Sequence, residues 1–111
     1  MINEDIFKNF YYPWFDVFLF CACNSGNKHF AKFLIKYGEN VNEENKYEES
    51  PLFYACNSGN EKIVKYLIEH GSYIYKRNGW RKTPLYIACK NGNEGEGIKC
   101  LIEHGADINE K

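Results

Sequence analysis

The sequence predicts an all-α solenoid of stacked helix pairs joined by hairpin-like loops. Three observations carry that expectation. The phrase ACNSGN stands at 22–27 and again at 55–60, and a near copy, ACKNGN, stands at 88–93. The spacing is a constant 33 residues, the period of a repeated supersecondary unit. After each phrase come apolar residues at helical spacing, most clearly Ile63, Val64, Leu67 and Ile68.

Aligned on the phrase, the chain contains three copies: Val17 to Asn42, Ser50 to Tyr75 and Thr83 to Asn109. The second copy shows the logic of a unit. Ser50 is placed to cap a helix, and Pro51 fits its first turn, where a missing N–H costs nothing. That helix runs over Pro51–Ser58 and ends at Gly59, which supplies a left-handed backbone. A second helix follows, near Glu61–His70, closed by Gly71. Its apolar residues share one face, and Glu61, Lys65 and Glu69 alternate in sign on a solvated one. Ala22, Ala55 and Ala88, with Cys23, Cys56 and Cys89, are small where helices of neighbouring units must approach. His70 and His104 stand at the ends of equivalent helices, where a donor satisfies free carbonyls.

The pattern resembles the ankyrin repeat, a unit of about 33 residues reading T-P-L-H-x-A. The residues that carry the resemblance are Thr83-Pro84-Leu85-Tyr86-Ile87-Ala88, Ser50-Pro51-Leu52-Phe53-Tyr54-Ala55 and the closing phrase Leu101 to Asn109. The resemblance implies an ankyrin-repeat solenoid with units 17–49, 50–82 and 83–111. Residues 1–16 are expected to be an N-terminal cap, with Ile2, Ile6, Phe7 and Phe10 on one face of a helix ended by Pro13. Asp16 is then the expected cap of the first unit's opening helix. The third copy has one extra residue and two glycines, Gly95 and Gly97, so its second helix should start late, near Glu96 or Gly97. The tips of the inter-unit loops align with Glu48 and Arg81, whereas the family has glycine there. No polar helix pair closes the array after Asn109, so the chain is expected to be a monomer or part of a longer array.

Composition narrows the function. Apolar residues make up 44% of the 111 residues, enough for a core. A formal net charge of −1 does not suit a nucleic-acid partner held by bulk electrostatics. The apolar run 10–23 is too short for a membrane span and is broken by Pro13 and Asp16. The five cysteines form no metal spacing, and their odd count points to free thiols in an intracellular, cytoplasmic setting. No nucleophile–base, cofactor or metal motif is present, so neither catalysis nor a cofactor is expected.

The expected function is therefore binding of another protein. The family binds with its loops, or fingers, and with the inner face of the first helices. Carried over by register, that implies Lys46, Tyr47 and Glu49 in one finger and Trp80 and Lys82 in the next. On the inner helices it implies Tyr54, Asn57, Ser58, Ile87, Lys90 and Asn91. Tyr47 and Trp80 are equivalent, and Trp14 falls in the same register. The first finger is acidic (Glu39, Glu43, Glu44, Glu48, Glu49), and the second is basic (Lys76, Arg77, Arg81, Lys82). Either the two fingers attract each other, or they orient a partner. The first alternative is a structural segment of a longer array, or a regulatory part of a larger protein, with partner binding elsewhere. The second is a nucleic-acid contact through Lys76, Arg77, Trp80, Arg81 and Lys82, which the adjacent acidic finger opposes.

Overall fold

The computed structural model describes residues 13–92 and 95–105, with side chains from residue 18 onward except at 96. Among the described residues six helices follow one another: α1 (Pro13–Ser25), α2 (Lys28–Lys36), α3 (Pro51–Ser58), α4 (Glu61–Glu69), α5 (Pro84–Lys90) and α6 (Glu96–Glu103). They pair as α1/α2, α3/α4 and α5/α6. First helices stack on first helices, α1 on α3 and α3 on α5, and second helices stack likewise. The result is two helical layers with one apolar seam between them.

The repeated phrase builds the turn between layers. Gly59 takes a left-handed φ of +74°, and Gly26 and Gly92 match it at +80° and +72°. This turns the chain sharply enough for the amide of Asn60 to reach the carbonyl of Ala55 at 3.0 Å, capping α3. Asn27 makes the same bond to Ala22 at 2.9 Å. Its side chain also caps α2 by accepting from the amide of Phe30. The first-layer residues Ala22, Ala55, Cys23 and Cys56 are buried, and opposite them lie Ala31, Leu34, Ile63, Val64, Leu67, Cys100 and Leu101.

Several expectations need amendment. Pro13 opens α1, so Asp16 lies inside the first turns rather than at a cap position. The proposed face of Ile2, Ile6, Phe7 and Phe10 lies outside the described residues. Trp14, aligned with the finger tips, sits in α1 and not in a loop. Ser50 occupies the cap position of α3, but its buried hydroxyl makes no capping bond, whereas Thr83 accepts from the amide of Tyr86. Cys89 is exposed although Cys23 and Cys56 are buried. The stack explains this: α3 covers α1 and α5 covers α3, but no described helix lies beyond α5. The late start of the last helix holds, since α6 begins at Glu96.

Candidate partner-binding surface

Each finger is a tight loop organised by one asparagine. In the first, the Oδ1 of Asn45 accepts from the amides of Tyr47 at 2.9 Å and Glu49 at 3.1 Å. In the second, the Oδ1 of Asn78 accepts from Trp80 at 2.9 Å and Lys82 at 3.0 Å. A backbone bond closes each loop, Asn45 to the carbonyl of Glu49 and Asn78 to that of Lys82. This turn forces the penultimate residue into left-handed backbone: Glu48 has φ +60° and Arg81 φ +63°. These are the two tips where the family has glycine. The asparagines escaped the sequence analysis, although they stand 33 residues apart like the phrase itself.

The two fingers are joined along their length. The amide of Gly79 donates to the carbonyl of Tyr47 at 2.8 Å. The Asn78 side-chain amide donates to the Glu49 carboxylate at 2.8 Å. Lys76 pairs with Glu44 at 2.9 Å, and that carboxylate holds the Lys76 ammonium above its ordinary pKa. The opposite charges of the fingers therefore attract, as one of the two readings anticipated. At the tips, Tyr47 stacks on Trp80 with ring centroids 5.5 Å apart. The rings remain 42% and 61% exposed, which leaves a double aromatic plate facing solvent. Lys46 lies over the Tyr47 ring at 5.2 Å, and Lys82 lies over Tyr86 at 4.5 Å.

Behind the fingers, Glu49, Phe53, Tyr54, Asn57 and Ile87 line a groove of about 220 Å³. A neighbouring groove of about 230 Å³ is lined by Phe20, Cys21, Asn24, Asn45 and Tyr54. Tyr54 is the wall between them. Its hydroxyl accepts from Asn45 at 2.6 Å, and its ring meets the edge of Phe20 at 5.1 Å. Burial and the Glu49 carboxylate raise its pKa, partly offset by the Asn45 hydrogen bond.

The structure thus brings Lys46, Tyr47, Glu49 and Trp80 into one finger surface and Tyr54, Asn57 and Ile87 into the groove behind it. Asn91 donates to both the backbone and side-chain oxygens of Asn57, at 3.0 and 2.6 Å. Ser58 donates to the carbonyl of Cys23 at 3.1 Å, so its hydroxyl ties two units together. Lys90 is exposed at the last turn of α5. Phe20, Cys21 and Asn24 belong to the groove surface but were not anticipated. Their alignment with Phe53, Tyr54 and Asn57 is the signal that points to them. Among the described residues no three His, Cys, Asp or Glu side chains form a metal cluster, and no helix is long and apolar enough to cross a membrane.

Paired helices stacked in register, with a tight loop between pairs, define a helical repeat protein. A family model for ankyrin repeats matches three copies over residues 18–111, and the chain belongs to that family. Ankyrin repeats are generally protein–protein interaction modules and generally non-catalytic. No curated protein matches the sequence.

Proposed function

We propose that this chain binds another protein with its joined fingers and the inner-helix grooves behind them, and that it does so without chemistry of its own. The observation that carries the reading is the solvent-facing Tyr47–Trp80 stack, set on loops that asparagine turns and inter-finger hydrogen bonds already hold in place. Large aromatic side chains on a rigid support gain contact area at little entropic cost, and such residues dominate interface energetics. Tyr54 and Ile87 supply an apolar floor, and Lys46, Glu49 and Lys82 supply a mixed-charge rim that fixes orientation. The units 17–49, 50–82 and 83–111 are the repeat boundaries this reading uses.

The test is to select binders against the folded chain from a peptide or small-domain library, then measure their affinity for single variants. Trp80→Ala is expected to weaken binding by about 2 kcal/mol, as a central aromatic contact does. Tyr54→Ala is expected to weaken it too, with the thermal melt checked in parallel. Selected binders indifferent to both substitutions would place the interaction surface elsewhere.

A further inference from the structure

The opposite side of the molecule carries a second surface of different character. Helices α2 and α4 lie side by side in the outer layer, and between them runs a groove of about 510 Å³ lined by His29, Lys32, Phe33, Ile35, Lys36, Tyr66 and His70. Its floor is apolar and aromatic, its rim is basic, and among the described residues no carboxylate lines it. We propose that this groove docks an acidic peptide segment of a partner protein, one that presents an apolar side chain between its carboxylates.

The rim groups are positioned rather than loose. The Lys32 ammonium sits over the Tyr66 ring at 5.1 Å, bridging the two helices, and Lys36 sits over Tyr37 at 5.6 Å. Phe33 packs against Tyr37 with centroids 4.7 Å apart, yet remains 54% exposed. His70 stacks on Tyr66 at 4.0 Å, and its Nδ1 donates to the Tyr66 carbonyl at 2.8 Å. That bond fixes the ring and leaves Nε2 outside it. Lys28 stands one helical turn before Lys32, and its pKa is lowered first by the Lys32 charge, then by desolvation and by Lys62, so positive charge extends beyond the rim itself.

Charge complementarity selects an anionic occupant, and shape selects a peptide. A groove between two helices with Phe33, Ile35 and Tyr66 below its rim takes an inserted side chain, which a flat membrane surface does not offer. A nucleic acid would meet a chain of net charge −1 whose first finger is acidic, so its backbone would be repelled outside the groove. The site is separate from the finger surface, and substitutions at one leave the other intact.

The probe is a short fluorescent peptide in which glutamates flank a leucine and a phenylalanine, with a control in which lysines replace the glutamates. Fluorescence anisotropy is expected to show binding of the acidic peptide and none of the control. The double variant Lys32→Glu/Lys36→Glu should lose about tenfold or more in affinity, and Phe33→Ser should lose affinity as well. All three positions carry exposed or half-buried side chains, and an unchanged melt verifies folding. Lys32→Gln/Lys36→Gln, which only neutralises charge, should lose less. Trp80→Ala should bind the peptide like the parent. Equal affinity for the basic control, no acidic-peptide binding up to about 1 mM, a range that still detects weak complexes of about −4 kcal/mol, or indifference to charge reversal would overturn the proposal. So would tighter binding of a single-stranded oligonucleotide, or of a second copy of the chain, lost through the same substitutions.

Discussion

Replacing Asn78 with alanine should unlock the second finger. Asn78 is only 5% exposed and makes three side-chain hydrogen bonds. Two are accepted from the amides of Trp80 and Lys82, and the third is donated to the Glu49 carboxylate. The two amides lie near solvent and regain part of their loss through water, so each contributes about 0.5–1 kcal/mol. The bond to a half-buried carboxylate is charge-assisted and contributes about 1–2 kcal/mol. The expected loss is about 2–4 kcal/mol. For a chain of this length the melting entropy is roughly 0.2 kcal/mol/K, which converts the loss to a drop in Tm of about 10–20 °C. Thermal denaturation by circular dichroism reads it directly. Asn78→Asp keeps the acceptor oxygen but sets a second carboxylate against Glu49, so it should also destabilise. Adding Glu49→Gln to that variant restores a donor across the gap and should recover much of the loss. A drop below about 3 °C for Asn78→Ala, or no recovery in the double variant, would refute the finger account, since either result means less than about 1 kcal/mol passes through these bonds.

Other consequences are simpler. Leu67→Ala empties a fully buried position and should cost about 2–5 kcal/mol, read by urea denaturation. Arg81→Gly relieves a left-handed φ of +63° and should stabilise by about 0.5–1 kcal/mol even after the entropy glycine adds to the unfolded chain. In the native state Cys21 and Cys89 should react quickly with a thiol reagent at mild alkaline pH. Cys23 and Cys56 should react only on unfolding, because burial pushes the Cys23 thiol up to about 12 and raises Cys56 further. Tyr54 should ionise above its ordinary pKa, since burial and then Glu49 oppose the phenolate. Its folded pKa exceeds its unfolded one, so its stabilising contribution is complete below the ordinary value and fades as pH rises through the folded one. Ultraviolet titration of the parent against Tyr54→Phe reads that late step.

The helices were legible because they obey local rules. Pro51 opens α3 and Gly59 ends it where Pro-first and Gly-last chemistry requires, and the insertion around Gly95 delays α6 as expected. Asp16 misled because α1 begins three residues earlier, at Pro13, which suits the first turn of a helix. The fingers were only half legible. Tyr47 and Trp80 share a register, yet register alone does not say whether two rings face solvent or each other; in the structure they do both. Asn45 and Asn78 act through bonds to their own loops, a signal easily passed over beside five acids and four bases. The outer groove was not legible at all. Nothing in the spacing of Lys32, Phe33 and Lys36 alone points to a groove, which forms only when α4 brings Tyr66 and His70 against them.

The most direct test of the binding account is a map of amide chemical shifts on the isotope-labelled chain as a selected protein binder is added. The account predicts perturbations gathered at 45–49 and 78–82 and along the inner helices at Tyr54, Asn57 and Ile87. A map confined to α2 and α4, with the fingers unmoved, would contradict it.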